Sequence, residues 1–245
     1  YVVIGSDLGG YLDRDDIDLT QLVPADFETF MRWTALAAMT PFMQLHGRAN
    51  LTPWTFPEST DLVLENYRTW SKLHDAMVPF YYSVARVAQS GGPLRMIAPI
   101  GDEASWPGDY RYVLGNAFLV APVMDDTGSR QVPIPSDATY YDFFDPAADA
   151  IPAGTVLTPD TSDPRRIPIY VREGAIVPLD VVDDSNQLGN TASAGYVTVL
   201  MYPAAVPSSF AWFAEQGEIT LTASRTASQI TVGASSLAQP AIFRV

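Results

Sequence analysis

The chain has 245 residues, of which 28 are acidic and 14 basic, and its formal net charge is −14. The acidic surplus excludes a polyanion such as nucleic acid as a favoured partner, and no apolar run is long enough for a membrane span. Cysteine is absent, which excludes disulfides and thiolate metal sites and leaves the cellular compartment open.

The first 40 residues predict a strand, a loop and a helix. Residues 1 to 5 are an apolar strand pattern already under way, without a preceding leader, and we expect the chain to be a piece of a longer polypeptide. A Gly9-Gly10 turn and an acidic loop at 13 to 18 follow. Apolar residues then recur at three- and four-residue spacing from 27 to 38, which predicts a helix that Pro41 ends.

A second strand and a second, longer helix follow. Residues 41 to 45 form a short apolar segment, and the helix is predicted from 61 to 89. Residues 59 to 61 are its cap candidates, Pro79 should kink it and Gly91-Gly92 should close it. Two strand–helix units are a quarter of a (β/α)8 barrel, so we expect another chain or a preceding segment to cover their apolar faces.

From residue 93 onward, short β-rich runs separated by proline, glycine and aspartate are typical of an all-β sandwich. An acidic and then small, polar break at 180 to 193 suggests a boundary between two β modules. The candidate strands are 117 to 123, 130 to 134, 139 to 144, 167 to 171, 175 to 178, 197 to 202, 210 to 213, 219 to 223, 229 to 232 and 241 to 245.

Two polar residues stand at the ends of the two predicted parallel strands. Asp7 follows the first strand and His46 ends the second apolar segment. Ligands of parallel α/β folds bind at the carboxyl ends of strands, and these side chains suit hydroxyl recognition. The alternatives are an Asx-turn role for Asp7 and a half-buried structural role for His46.

Other chemical motifs are weak. No nucleophile elbow or phosphate loop is present, and the acidic run at 13 to 18 lacks the glycine and glutamate of an EF-hand, so we expect no metal or cofactor. His74 is predicted at the surface of the long helix. Trp54 is open to sugar stacking or packing, whereas Phe56 is expected to pack.

Several segments, in order, resemble glycoside hydrolase family thirty-one over the whole chain. The order and spacing of these short matches make the resemblance specific. The segments are Ser6-Asp7-Leu8-Gly9-Gly10-Tyr11, Glu28, Phe30-Met31-Arg32-Trp33, Pro41-Phe42-Met43-Gln44-Leu45-His46-Gly47, Pro53-Trp54-Thr55-Phe56, Tyr112-Val113-Leu114-Gly115-Asn116, Leu119-Val120-Ala121-Pro122-Val123, Tyr140-Tyr141-Asp142-Phe143 and Val171-Arg172-Glu173-Gly174-Ala175-Ile176-Val177-Pro178.

The resemblance implies an α/β plus all-β chain. Residues 1–92 would be the last two strand–helix units of a (β/α)8 barrel, 93–182 a proximal β-sandwich and 183–245 a smaller distal β domain. It also implies a retaining, exo-acting α-glycosidase of the α-glucosidase or α-xylosidase type. The nucleophile and acid/base carboxylates would lie in a preceding segment, with no catalytic residue in this chain, and an N-terminal segment or chain would be the partner.

Asp7 and His46 match the family residues that hold sugar hydroxyls beside the cleaved bond, and Tyr11 and Trp54 join them as predicted substrate-binding residues. Gln44 replaces an arginine found in many members, and Tyr11 replaces the usual phenylalanine. The alternative function is a noncatalytic carbohydrate-binding or assembly module made mainly of the β-sandwich.

Overall fold

The computed structural model describes residues 3–15, 17–47, 51–184, 188–237 and 240–245. Its α-helices are α1 (Phe27–Ala38), α2 (Thr60–Ala76) and α3 (Val78–Gln89). Its strands are β1 (Gly5–Asp7), β2 (Phe42–Gln44), β3 (Ile97–Pro99), β4 (Tyr112–Leu114), β5 (Phe118–Val120), β6 (Val132–Pro133), β7 (Tyr140–Asp142), β8 (Val156–Leu157), β9 (Ile169–Arg172), β10 (Ile176–Asp180), β11 (Val197–Met201), β12 (Ser208–Ala214), β13 (Gly217–Arg225), β14 (Ile230–Ala234) and β15 (Ala241–Arg244).

The first two strands form a parallel pair, as predicted for neighbouring barrel strands. Gly5 pairs with Phe42 and Asp7 with Gln44. The prediction of a strand at 1 to 5 is wrong in its bounds, because Val3 and Ile4 precede β1. Since β2 is only three residues long, it pairs with residues 5 to 7, and Val3 and Ile4 have no ladder partner among the described residues.

Helix α1 has the predicted extent, and its own sequence explains both ends. The Asp26 carboxylate accepts hydrogen bonds from the backbone N–H groups of Glu28 and Thr29 and caps the first turn. Most of the predicted apolar stripe is buried, including Phe30 and Met31, while Phe27 and Leu36 are half-buried. Pro41 follows the last turn, where it cannot continue the helical hydrogen bonding.

The predicted kinked helix from 61 to 89 is instead two helices, α2 and α3, with Met77 between them. Pro79 is at the first turn of α3, because proline has no N–H to donate and its ring would clash with the carbonyl of Asp75 in a continuous helix. The predicted caps hold only at the far end: Ser59 makes no side-chain cap bond, whereas the Gly92 N–H donates to the Val87 carbonyl at 2.9 Å.

The rest of the chain is built of β-sheets. Strands β3, β4, β5, β9 and β7, in that order, form a five-stranded antiparallel sheet, and β10, β11 and β15 form a second sheet. Strands β12 to β14 form a third, and β6 pairs with β8. Each of the ten predicted β runs overlaps a strand, though several strands extend beyond the predicted bounds, and β3, β4 and β8 lie outside the predicted runs. Strands β10 and β11, which pair with each other, lie on either side of the module boundary predicted after residue 182. That boundary stays a prediction.

A single aromatic cluster joins the helices to the sheets. The Phe80 ring of α3 is fully buried. Its centroid lies 5.7 Å from that of the Phe118 ring of β5 and 5.6 Å from that of the Phe210 ring of β12. Gly115 has a φ of +58°, and a Cβ there would lie 2.4 Å from the Phe80 ring. This close packing fixes the position of the strand–helix units relative to both β modules.

Candidate functional site

Asp7 and Gln44 meet at the carboxyl ends of the parallel strands. They are register partners, and the Gln44 side-chain amide donates a hydrogen bond to the Asp7 carboxylate. The ladder continues for one residue, since the Leu8 N–H donates to the Gln44 carbonyl at 3.0 Å. The half-buried Asp7 side chain is therefore held in one orientation at the strand end.

The two glycines after Asp7 turn the chain sharply. Gly9 and Gly10 have φ values of +76° and +90°, and the Gly10 N–H donates to the Asp7 carbonyl at 3.1 Å. Both residues adopt the left-handed region that favours glycine. This turn brings Tyr11 beside His46, with ring centroids 5.6 Å apart and planes tilted by 41°.

Asp7 at the end of β1, His46 two residues after β2 and Tyr11 against His46 consequently lie at the same end of the parallel pair. Tyr11 is 46% exposed and His46 is also exposed. A carboxylate, an amide, a phenol and an imidazole together offer both donors and acceptors, which is the chemistry that recognises a hydroxylated ligand.

Trp54 is separate from this group in the contacts that the described residues make. Its side chain is 65% exposed, in a turn where the Thr55 N–H donates to the Thr52 carbonyl at 3.0 Å. Phe56 packs on Phe30 with ring centroids 5.4 Å apart, as expected. Exposure leaves the Trp54 ring available for stacking, and its role in binding stays a prediction.

Two α1 residues support the edge from behind. The Trp33 indole N–H donates to the Ser6 hydroxyl at 2.7 Å, next to Asp7 in the chain. Arg32 donates to the backbone carbonyls of Asp125 and Thr161 at 3.2 and 3.4 Å. The arginine–tryptophan pair thus links β1 on one side to the loops at residues 125 and 161 on the other.

His74 is not at the surface as predicted. Its ring is half-buried, with Nδ1 3.2 Å from the Ala38 carbonyl and the ring centroid 5.3 Å from that of Tyr81. Burial is the main cause that lowers the pKa of His74, and the hydrogen bond with Ala38 and the charge of Asp75 oppose it. This histidine belongs to the packing of α2 against the end of α1.

The sequence reasoning noted Gln44 as a departure and missed its contact with Asp7. The sequence placed both residues near the strand ends, but the register that pairs Asp7 with Gln44 is seen only in the structure. Ser6 and Trp33 were missed as a bonded pair because their contact depends on the packing of α1 over β1. In the described ranges no group of three or more histidine and carboxylate side chains is placed to hold a metal ion.

Comparison with known families agrees with this architecture. A model of the glycosyl hydrolases family 31 TIM-barrel domain matches residues 1–84, and one of the family 31 C-terminal domain matches 92–177. The chain belongs to glycosyl hydrolase family 31. Family membership accounts for the strand–helix units as the end of a barrel and for the β modules that follow. No helix in the described part of this family 31 chain is long and apolar enough to cross a bilayer.

Characterised relatives are considerably longer than this family 31 chain. It is 28% identical over 163 residues to an alpha-xylosidase of Saccharolobus solfataricus, covering 62% of the chain and 21% of that protein. It is 24% identical over 238 residues to an alpha-glucosidase of the same organism, covering 94% of the chain and 32% of that protein. The chain therefore spans about a fifth to a third of the length of these relatives.

Solved structures share the fold. A Xanthomonas citri alpha-xylosidase aligns over 98% of this chain and 27% of its own, with a TM-score of 0.67 and 23% identity. An uncharacterized Listeria monocytogenes protein aligns over 95% of this chain and 23% of its own, with a TM-score of 0.76 and 21% identity. Both alignments run through the strand–helix units and the β modules, so the arrangement of these parts recurs in the family.

Proposed function

We propose that this chain is part of a retaining, exo-acting α-glycosidase that removes terminal α-linked glucose or xylose. The observation that carries the proposal is the edge formed by Asp7, Gln44, Tyr11 and His46 at the carboxyl ends of two parallel strands. Relatives named alpha-xylosidase and alpha-glucosidase support this substrate class.

In the proposed enzyme, this edge binds the sugar next to the cleaved bond. The Asp7 carboxylate, oriented by Gln44, accepts hydrogen bonds from sugar hydroxyls, and the exposed His46 ring adds a donor or acceptor. Tyr11 contributes a phenol at the mouth, and Trp54 offers an exposed ring for stacking on a more distant sugar. Contacts that strengthen as the ring flattens toward an oxocarbenium ion lower the barrier.

The reacting carboxylates belong, in this proposal, to a preceding segment. One attacks the anomeric carbon and the other protonates the leaving oxygen, and a retaining mechanism places them about 5 to 5.5 Å apart. The two-stranded β1–β2 sheet supports the need for a partner, because a barrel requires eight strands. We keep the division into 1–92, 93–182 and 183–245 as part of this proposal.

Exposed apolar side chains between β1 and α1 also favour a partner that covers this region. Ile17 is 97% exposed, and Leu19, Leu22 and Val23 are each about half or more exposed. Covering exposed apolar side chains such as these with a protein surface lowers the free energy. The proposed N-terminal segment would supply that surface.

Coexpression of the chain with the N-terminal part tests the proposed function. We expect hydrolysis of an α-glucoside or α-xyloside, and we expect Asp7→Asn and His46→Ala to lower kcat/KM about 5- to 150-fold, which corresponds to roughly 1 to 3 kcal/mol. Asp149→Asn, at an exposed position in the proximal β module, is the matched control and should leave kcat/KM unchanged. Site variants that stay within about twofold of wild type would show that the edge does not bind substrate.

A further inference from the structure

One cavity shares no lining residue with the strand-end edge. Its volume is about 650 Å³, within the range of small-ligand sites. Its walls come from α2, the turn after β7, the loop before β9 and the C-terminal strands. The aromatic and arginine side chains that matter here are Trp70, Tyr141, Phe144, Arg166, Tyr202 and Arg225.

Aromatic rings form much of this wall. The Tyr141 and Tyr202 rings are 5.4 Å apart and tilted by 42°. Phe144 meets the Trp70 ring edge-on at 5.9 Å, and the Arg166 guanidinium lies 5.0 Å from the centre of the Phe144 ring. Tyr141, Phe144 and Tyr202 are only half-buried, so part of each ring remains open to a ligand.

Contacts within the wall and with residues behind it hold the lining in place. The Trp70 indole N–H donates to the Arg165 carbonyl at 2.9 Å, and the Arg165 guanidinium pairs with Asp163 at 2.7 Å. Arg225 pairs with Glu173. Lining groups fixed by such second contacts lose little freedom when a ligand binds, which favours affinity.

The polar chemistry of the cavity suits a neutral, hydroxylated ligand. Within the described part of the chain, the Tyr141 and Tyr202 hydroxyls make no hydrogen bond, and burial raises the pKa of Tyr202, which keeps it a donor. Arginines at the cavity are matched in number by nearby carboxylates, so the site presents donors and acceptors without a strong excess of either charge. They are Arg165, Arg166, Arg225 and Arg244, and Glu65, Asp142, Asp163 and Glu173.

We propose that this cavity is a second carbohydrate site that binds a neutral α-linked oligosaccharide, separate from the strand-end edge. Rings that are partly open stack on the apolar faces of sugar rings, while phenol hydroxyls and paired arginines bond to their hydroxyls. The choice of an α-linked sugar rests on the proposed function. The existence of the site rests on the cavity alone.

Methionine methyl groups provide a test that separates the two sites. The chain has 7 methionines; Met201 lines the cavity and Met43 lies in β2 beside the strand-end edge. The chain, with any polypeptide that copurifies with it, is labelled with ¹³C at the methionine methyls and titrated with maltotriose. We expect the Met201 methyl resonance to shift with a saturable dependence, whether or not Met43 responds.

Variants then assign the binding to named side chains. Tyr202→Ala and Arg166→Ala should each weaken maltotriose binding at Met201 about tenfold, and Tyr202→Phe about threefold, because it keeps the ring and loses only the hydroxyl. Tyr82→Ala and Arg95→Ala are matched controls at exposed positions outside the cavity and should bind as wild type.

Two results would overturn the second site. One is a Met201 resonance that does not move at saturating maltotriose, or that moves equally in the cavity variants. The other is saturable binding of inorganic phosphate without maltotriose binding, which would make the cavity an anion site. Neither result bears on hydrolysis at the strand-end edge, since the Asp7 and His46 variants test that proposal.

Discussion

The strand–helix units and the β modules differ in how they bury their apolar residues. In the first region, a sheet of two three-residue strands has an adjoining loop in which Ile17 is 97% exposed. In the second, β11 lies between antiparallel β10 and parallel β15, and all five of its residues are buried. The β modules thus carry an extensive core that α2 and α3 share, whereas the strand–helix units have only a small cluster of their own around Phe30 and Met31 and expose apolar side chains in the loop before α1.

The helices are stabilised mainly by their packing on the β modules. Helices α2 and α3 bury Trp70, Phe80 and Val84 in the same cluster as the strands of both β modules. Isolated helices of this length are marginal in water, so most of their stability derives from this contact. The strand-end edge therefore depends on packing that the β side provides.

Removing the ring at the centre of that contact should have the largest effect. Phe80→Ala deletes a fully buried side chain that touches Phe118 and Phe210. We expect the free energy of unfolding to fall by about 3 to 5 kcal/mol, as for other buried phenylalanines. Urea denaturation followed by far-UV circular dichroism measures the change.

The matched control is Tyr82→Ala on the same helix, where the side chain is 53% exposed. It should change the unfolding free energy by less than about 0.5 kcal/mol. Equal losses in the two variants would contradict the view that α3 is stabilised through its β-facing side.

Arg32 provides a second link between the regions, with a smaller expected effect. Its side chain is 12% exposed and donates to the carbonyls of Asp125 and Thr161. Arg32→Ala removes charge-assisted hydrogen bonds and should cost about 1.5 to 3 kcal/mol of unfolding free energy. Arg14→Ala, which breaks only an exposed pair with Asp13, should cost less than about 1 kcal/mol. A loss no greater at Arg32 than at Arg14 would contradict the proposed link.

Features that depend on neighbours in sequence could be predicted. The apolar periodicity and Pro41 located α1 within its observed bounds, and the turn after Asp7 followed from its two glycines. Strand β8 is a two-residue pairing with β6 and lies outside the predicted runs. Pro79 marked the interruption of the long helix, but whether the chain kinks or starts a new helix depends on the backbone of Met77.

Features that depend on packing between elements could not be predicted. The burial of His74 arises because α2 lies against the end of α1, where the Ala38 carbonyl faces the ring. The contact of Gln44 with Asp7 requires the parallel register of two short strands. The positions of Asp7 and His46 were inferred from strand ends, but the partners that orient Asp7 appear only in three dimensions.

Substitutions of Gln44 should affect activity more than stability, unlike those at the contacts between the helices and the β modules. Gln44→Ala removes the amide that orients Asp7 and should lower kcat/KM of the coexpressed enzyme by about 2- to 12-fold, equivalent to roughly 0.5 to 1.5 kcal/mol. Gln44→Glu should lower it further, because a second carboxylate would repel that of Asp7. Both variants should melt close to wild type. Unchanged kcat/KM in Gln44→Glu would exclude an orienting role.

The smallest expected effect is the pH dependence of the unfolding free energy. Both histidines of the chain, His46 and His74, lie in the strand–helix units. Burial lowers the pKa of His74 in the folded state, whereas the unfolded chain should titrate near about 6.5. Below that pH the unfolded state binds more protons, so the unfolding free energy should decrease as the pH falls from 7 toward 5, by at most about 1.4 kcal/mol per pH unit.

His74→Gln should remove this slope and leave stability unchanged above pH about 7, where the histidine is neutral in both states. Urea denaturation of both proteins at several pH values isolates the difference, because the carboxylates that titrate at lower pH are common to both. Parallel curves between pH about 7 and 5 would mean that the folded state accommodates a protonated His74 as readily as water does. The Ala38 carbonyl and Asp75 would then offset the cost of burial in full.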